Sequence, residues 1–297
     1  MIRRLTLASL MIALIAAMVG AGAGAASASK PETKKATHGH EYPAKGAKNI
    51  SIFGNRSPNL TNHGGPILTA STVKAIYWGT SWSSSSFTGD KQSGLDTFYL
   101  GWTGSKYAGT TTEYNSSNGQ VSGTVSYQGH VVDPTAGPSS PPTTQQIVNE
   151  VAKMIPSPVA NGYYPVYVDL KRGNAGYCAW HDTGVANGVQ VQVAFFFNLD
   201  NDSGCNPSDS TTGHDEPLAA LANVSGHELS EAETDPQLNA WYDRNGNENA
   251  DKCAWHFHGN GVQTFSNGSV WKIQGNWSNN AYNNRTGYYN YGCIDGN

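Results

Sequence analysis

The residues of this chain best suited to chemistry cluster in the segment 226–236, which reads Gly-His-Glu-Leu-Ser-Glu-Ala-Glu-Thr-Asp-Pro. His227 and Glu231 are four positions apart, so on a helix they share one face and could bind one metal ion together. Glu228 is the next residue round the helix and could reach a water molecule on that ion. This is the spacing of His-Glu-x-x-His zinc hydrolases, with Glu in place of the second His. We therefore expect His227 and Glu231 to be metal ligands and Glu228 to be the catalytic base.

The charge pattern of this helix also favours a bound cation. Glu228, Glu231, Glu233 and Asp235 lie close together, and the segment 219–237 contains no Lys or Arg. A solvated surface helix would carry more basic residues, so this helix is expected to be half-buried. Carboxylates in a buried position are costly unless an opposite charge lies nearby. A metal ion would supply that charge.

The segment after the helix offers the remaining ligands. Glu248 and Asp251 follow in the order in which gluzincin sites place a third ligand and a carboxylate that orients the first His. A metzincin site is disfavoured, because Gln237 stands ten residues after His227. His181 is a candidate proton donor or extra ligand, with a structural role as the alternative.

Calcium is the alternative metal. Asp and Asn alternate through residues 243–249 as in the first half of a calcium loop. Glu248 replaces the required Gly, and Ala254 stands at the position of the last ligand, so we expect no EF-hand. An irregular calcium site stays open there, and so does a simple polar turn. A second acidic group could bind calcium as well: Asp200, Asp202 and Asp209.

The first residues of the chain are typical of a secretion signal. Arg3 and Arg4 precede an apolar run over residues 5–19, and Ala26-Ser27-Ala28 is a small-residue cleavage site. An uncleaved membrane anchor is the alternative, but the apolar run is short for a span. We expect residues 1–28 to be removed and the protein to be secreted, extracellular or in a cell wall.

The composition of the remaining chain excludes two classes of partner. The formal net charge is −4, and removal of residues 1–28 deletes two Arg and no acid, which makes it −6. No basic patch is visible, so nucleic acid is not an expected partner. No other stretch is long and apolar enough to span a bilayer, so no membrane association is expected after cleavage.

The cysteines fit an oxidising compartment. An even count of four in a secreted chain favours two disulfides. Sequence alone allows three pairings, of which we favour Cys178–Cys205 and Cys253–Cys293 because each joins neighbouring segments. A cysteine-ligated metal is disfavoured, since no Cys-x-x-Cys spacing occurs.

Hydrophobic periodicity predicts a single α+β domain over residues 61–297. Residues 29–60 are rich in Lys, Pro, Ala and Asn and read as a disordered lead-in, with His38 and His40 in a solvated tail. The folded part is expected to be a mixed sheet packed against a few helices, one of which is the metal-site helix. The predicted strands cover 72–79, 121–127, 164–170 and 189–199, and the predicted helices lie in 89–104, after Thr143 or Thr144, and in 216–234.

The C-terminal part alternates aromatic residues with Asn and Gly. Exposed aromatic faces beside amide groups are what sugar binding uses. Trp271 and Trp277 could therefore stack on glycan, but a β-rich region whose aromatics pack into the core is the preferred interpretation. His256 and His258 share one side of a strand and are expected to make ordinary hydrogen bonds.

Taken together, several motifs resemble the phosphate-induced protein 1 (EXORDIUM-like) family. The resemblance covers roughly residue 63 to the C terminus, with Ala179 where Gly is commoner and a tail unusually rich in Asn, Ser and Gly. Family members are secreted, and the plant ones are cell-wall or apoplast proteins linked to growth regulation. The resemblance therefore implies location more than chemistry. The motifs are His63–Leu68, Ile76–Gly79, Cys178–His181, Gly226–Glu231 with Asp235–Pro236, Asn239–Tyr242 and Glu248–Cys253.

These observations predict a secreted zinc-dependent hydrolase, peptidase-like, that acts on an extracellular peptide or cell-wall component. A Glu ligand makes the site more anionic than a His would, so harder cations than zinc are tolerated. The first alternative is a non-catalytic protein that binds cell wall or glycan, with a structural zinc or calcium ion or none. A calcium-stabilised adhesion module is the second alternative.

Overall fold

The computed structural model describes residues 38–47 and 58–297. The expected signal peptide, and residues 29–37 and 48–57 of the lead-in, lie outside this part. The described strands are β1 (His40–Pro43), β2 (Thr61–Asn62), β3 (Ser71–Trp78), β4 (Asn115–Ser116), β5 (Gly119–Gln120), β6 (Val125–Asp133), β7 (Gly162–Lys171), β8 (Tyr177–Ala186), β9 (Val189–Asn198), β10 (Trp241–Tyr242), β11 (Val262–Thr264), β12 (Val270–Lys272), β13 (Asn276–Trp277) and β14 (Cys293–Ile294).

The described residues form fewer helices than strands, and three of the helices are short 3-10 helices. The α-helices are α1 (Ser85–Thr88), α2 (Lys91–Trp102), α3 (Thr144–Met154), α4 (Glu216–Thr234) and α5 (Asn279–Asn284). The 3-10 helices are Thr80–Ser83, Ala108–Thr111 and Asp251–Cys253. Among the described residues, no helix has the length and apolar character needed to cross a membrane.

The main sheet has six strands in the order β6–β3–β7–β9–β8–β1. Strands β6, β3, β7 and β9 are parallel, whereas β8 runs antiparallel to β9 and β1 antiparallel to β8. β7 and β9 contain nearly continuous buried apolar runs, which is the pattern of parallel strands covered on both faces. The antiparallel pair β8 and β1 therefore forms one edge of the sheet.

Helices α3 and α4 cover opposite faces of the sheet near that edge. Successive residues of a strand point to opposite faces. His181 of β8 approaches Glu231 of α4, while the next residue, Asp182, accepts a hydrogen bond from Thr144 at the start of α3. The edge strand β8 thus carries one row of side chains directly towards α4. α3 itself starts with a capping box, in which Thr143 and Gln146 bond each other's backbone N–H groups.

α4 is buried along almost its whole length, from Leu218 to Thr234. Small residues let neighbouring elements come close: a Cβ added at Gly226 would lie 3.0 Å from Ile273. The helix begins after Asp215 with Pro in its first turn. It ends at Thr234, and the carboxylate of the next residue, Asp235, accepts hydrogen bonds from the backbone of the following turn.

The observed architecture confirms the predicted α+β class and the predicted helices. Two of the long strands differ from the sequence expectation. β6 starts later, at Val125, and runs on to Asp133, because Gly123 adopts a positive φ just before it. β8 is a strand that the pattern does not predict, because its buried face includes His181, and polar residues interrupt the apolar alternation.

The expectation of a disordered lead-in is wrong for residues 38–47 and for residues 58–60, where Leu60 is buried in a hydrophobic cluster. His40–Pro43 form β1, and Tyr42 is fully buried. The low hydrophobicity of the segment 38–47 predicts that it is solvated. Its backbone instead pairs with β8, and the side chains of His40 and Tyr42 point into the protein. Tertiary contacts therefore override local composition here.

Both favoured disulfides are present: Cys178–Cys205 and Cys253–Cys293. No described cysteine is free, and the described residues contain all four. The first bond ties β8 to the loop after β9. The second ties the 3-10 helix Asp251–Cys253 to the C-terminal strand β14.

We expect the double change Cys253→Ser and Cys293→Ser to lower the free energy of unfolding by about 2–5 kcal/mol, as is usual when a native disulfide is lost. The Cys253–Cys293 bond closes a loop of 40 residues, so its loss gives the unfolded chain more freedom. Chemical denaturation of both proteins measures the difference. An unchanged midpoint and slope would contradict this expectation.

Candidate metal centre

The second half of α4 directs three functional side chains to the sheet edge. His227, Glu228 and Glu231 are all fully buried. His227 Nε2 lies 3.0 Å from Glu231 Oε1, as the i, i+4 spacing predicts. Nitrogen and oxygen from these two residues therefore face the same small space.

The 3-10 helix that follows the turn brings Asp251 to the same place. Asp251 Oδ1 lies 3.7 Å from His227 Nε2. The backbone N–H of Asp251 donates to Glu231 Oε1 at 3.0 Å, and that of Glu248 donates to Asp251 Oδ2 at 3.0 Å. Backbone hydrogen bonds thus hold the two carboxylates beside the histidine. Of the two residues proposed for a third ligand, Asp251 is the one next to His227.

Glu248 lies on the other side of this space, next to His181. His181 Nε2 is 3.2 Å from Glu248 Oε2 and 3.6 Å from Glu231 Oε2. His181 reaches the site because the face of β8 that carries it lies against α4. The ligand atoms of His181, Glu228 and Glu231 lie within 4.8 Å of one another and could hold an ion. The structure therefore brings all six candidate residues into one cluster, with Glu248 on the His181 side.

One member of the cluster is His40, which the sequence places in a solvated tail. His40 Nε2 is hydrogen bonded to Asp251 Oδ2, and Nδ1 is 3.8 Å from Glu248 Oε1. His40, Glu231 and Asp251 form a second group whose ligand atoms lie within 4.8 Å of one another. The available sequence signal was the pair His38 and His40, but nothing in its spacing connects it to α4.

Several polar atoms of the cluster have no hydrogen-bond partner within the described residues, although they are buried. Buried polar groups are normally paired, so a concentration of unpaired ones at one point indicates a ligand. Imidazole nitrogen and carboxylate oxygen are donors that zinc accepts. The donor set therefore fits a metal ion. The unpaired atoms are His181 Nδ1, both carboxylate oxygens of Glu228, Glu231 Oε2 and Asp251 Oδ1.

The pKa values of the cluster show that its carboxylates are poorly balanced by the positive charge of the described residues. Burial raises the pKa of Glu228 and Glu248 well above the usual range, and the carboxylate of Glu231 raises both further. Burial likewise raises the pKa of Glu231, with a contribution from Asp251. Burial would lower the pKa of His40, but Asp251 and the other carboxylates raise it to about 10. The cluster therefore retains protons that a bound cation would displace.

Gln274 determines which ring nitrogen of His227 carries the proton. Its Nε2 donates to the backbone oxygen of Ala250 at 2.9 Å and lies 3.1 Å from His227 Nδ1. Its Oε1 accepts from the Tyr42 hydroxyl and from the backbone N–H of Trp255. These contacts fix the amide so that His227 Nδ1 is an acceptor. Metal-bound histidines usually donate from their second nitrogen, so binding through Nε2 requires the Gln274 amide to turn.

The other acidic groups considered for calcium are occupied by protein partners. Asp243 pairs with Lys252 at 2.8 Å and accepts backbone N–H groups of its own turn. Asp200 pairs with Lys91, Asp202 with Arg172, and Asp209 caps its own turn through Thr211 and Thr212. Each of these carboxylates has a local structural explanation.

Glu233 and the two C-terminal tryptophans are also structural. Glu233 accepts from Trp102 Nε1 at 3.2 Å and from Thr111 Oγ1 at 2.7 Å, on the side of α4 away from the cluster. Trp271 and Trp277 are 1% and 0% exposed, so they cannot stack on a sugar. His256 and His258 stack on tyrosines instead of approaching the cluster.

Comparison of the chain with protein-family models, with curated proteins and with solved structures finds no match. The assignment of function therefore depends on the geometry of this cluster.

Changing Gln274→Glu should increase zinc affinity by about 10-fold or more, the scale on which partners of ligating histidines act. A carboxylate at this position accepts a proton from His227 Nδ1 and so favours the tautomer whose Nε2 is free to bind. Competition with a chromophoric chelator measures the affinity.

The matched control is Gln274→Met, which removes the amide donor without supplying an acceptor and should give less gain than the Glu variant. Equal or weaker zinc binding by Gln274→Glu than by the unchanged protein would rule out ligation through His227 Nε2.

Proposed function

We propose that the chain is a secreted zinc-dependent hydrolase that cleaves peptide bonds. The observation that carries the proposal is the group of unpaired buried oxygens on Glu231 and Asp251 near His227 Nε2, beside a buried Glu228 with both oxygens unpaired. This is the arrangement expected of a His-Glu-x-x-Glu helix acting with a third acidic ligand. The resemblance to secreted EXORDIUM-like proteins is consistent with the location but adds no reaction.

His227, Glu231 and Asp251 are the residues that would hold the ion, with His181 and Glu248 next to them. Bound zinc polarises a carbonyl oxygen and lowers the pKa of a coordinated water molecule. One of these ligands is an imidazole, which favours zinc over calcium, because calcium sites are built from oxygen ligands.

Glu228 is placed to act as the base. It follows His227 in the helix, and one of its carboxylate oxygens lies within 4.8 Å of ligand atoms of His181 and Glu231. No described residue donates to it, so its carboxylate is available to take a proton from the attacking water and pass it to the leaving amine. His181 acts as a positioning residue, since its Nε2 faces both Glu231 and Glu248.

Secretion is part of the same proposal. It is supported by the signal-like residues 1–28 and by two disulfides, which persist in oxidising compartments. A cell-wall glycan-binding protein is the weaker alternative, because the two tryptophans suggested for sugar stacking are buried.

Glu228→Gln should lower peptidase activity by about 100-fold or more, the scale of losing a general base. The change keeps the shape of the side chain and leaves His227, Glu231 and Asp251 in place, so zinc content should stay near one per chain. Hydrolysis of a mixed peptide library by the two proteins, with elemental analysis of each, measures both quantities.

Two control variants show whether the loss of peptidase activity arises in the metal cluster. Glu233→Gln makes the same chemical change on the same helix but outside the cluster, and it should leave activity close to normal. His227→Ala should lose zinc and activity together. The proposal fails if Glu228→Gln hydrolyses peptides as fast as the unchanged protein.

A further inference from the structure

The outermost strand of the sheet, β1, comes from an N-terminal segment that is far in sequence from the rest of the site. It runs antiparallel to β8, with His40 opposite His181 and Tyr42 opposite Ala179. An exposed sheet edge offers unpaired backbone groups, and extended peptides bind such edges by adding a strand. β1 therefore pairs with β8 in the way that an extended peptide pairs with the edge of a sheet.

Alternate side chains of β1 enter the metal cluster and a neighbouring aromatic pocket. His40 is hydrogen bonded to Asp251. Tyr42 lies between two rings, with its centroid 3.9 Å from that of His227 and 4.9 Å from that of Trp255. One short strand therefore contacts two of the residues that would hold the ion.

The pocket around Tyr42 is built to recognise a phenol. The hydroxyl donates to Gln274 Oε1 at 2.5 Å and accepts from Asn223 Nδ2 at 3.0 Å. Stacking on both faces selects an aromatic ring, and two hydrogen bonds at its end favour tyrosine over phenylalanine. The same hydroxyl helps to hold the Gln274 amide in the orientation that opposes metal binding by His227.

We propose that residues 38–47 occupy the groove of an extended peptide substrate and keep the protein inactive until they leave. The substrate is a polypeptide that pairs with β8 and places a tyrosine between His227 and Trp255. This inference rests on the proposed hydrolase function for its catalytic part. Its binding part is independent of that function.

Release of the rest of the segment would break three further hydrogen bonds: Ala44 and Lys45 donate from their backbone to Gly176 and Gly204, and Trp255 Nε1 donates to the backbone oxygen of Pro43. Pro43 has no N–H to donate, and the side chain of Glu41 is 46% exposed. An open cleft of about 500 Å³ borders β1 and is lined by His40 and Asp251 among others. Departure of the strand would thus open the cluster from a side that solvent already reaches.

The test uses the full chain with the recognition site of a sequence-specific protease inserted within residues 48–57. The protease cuts this site after the protein has folded. A tethered segment competes with an added peptide at an effective concentration of the order of millimolar. Cutting and washing should therefore increase the affinity for a fluorescent peptide of residues 38–47 by about 10-fold or more. Fluorescence anisotropy of cut and uncut protein measures the change.

Variants of the added peptide test the pocket. Tyr42→Phe should weaken its binding by about 10-fold, because Asn223 and Gln274 lose their buried partner. Tyr42→Ala should weaken it more, while Glu41→Ala is the matched control and should bind like the unchanged peptide. Peptides that bind equally whatever stands at position 42 would overturn the assigned pocket.

The remaining outcomes separate this inference from the hydrolase proposal. Cut protein that binds the peptide but hydrolyses nothing supports the groove and contradicts the hydrolase. Equal hydrolysis of a tyrosine-containing peptide by cut and uncut protein supports the hydrolase and contradicts the inhibition. Loss of cooperative unfolding after cutting would overturn the inference, because β1 would then be an integral strand.

Discussion

Burial of carboxylates without matching positive charge is the constraint on which the centre of this protein depends. Glu228, Glu231 and Glu248 have side chains with almost no exposure, and Asp251 adds a fourth acid beside them. Burial disfavours the charged form of each, and their mutual repulsion adds to that effect. Among the described residues, the imidazoles of His40, His181 and His227 lie against these carboxylates, whereas the nearby Lys252 pairs with Asp243, so the cluster needs protons or a metal ion.

The fold supplies this cluster by bringing together four separate parts of the chain, one of which is β1 with His40. α4 contributes its acidic face because it is buried almost throughout, and β8 contributes His181 because alternate residues of a strand face one side. The 3-10 helix with Asp251 is held by backbone bonds to Glu231 and by the Cys253–Cys293 disulfide. Backbone hydrogen bonds place Asp251 beside Glu231, and side-chain contacts of His40, His181 and Gln274 complete the cluster.

The parts of the site that could be predicted from sequence are those that depend on local spacing. His227, Glu228 and Glu231 come from one helix, so a period of 3.6 residues suffices to place them together. Glu248 and Asp251 could be named as candidates, but their division of roles depends on the turn between them and α4. That turn puts Asp251, and not Glu248, next to His227.

The contributions of β1 and β8 could not be predicted because they are non-local. His40 lies more than two hundred residues from Asp251 in sequence, and its segment is polar enough to resemble a disordered tail. β8 lacks a clean alternation, because His181 occupies an inward position that an apolar residue would normally fill. Gln274 has no sequence signal at all, since its importance comes from contacts with Tyr42, Trp255 and His227.

The central claim is that this acidic cluster holds one zinc ion, and anomalous scattering at the zinc absorption edge tests it most directly. Crystals of the secreted protein, purified without added metal or chelator, should give one strong anomalous peak per chain. We expect that peak beside His227 Nε2, Glu231 and Asp251. An anomalous map without a peak there, or with calcium bound to carboxylates elsewhere, would contradict the account.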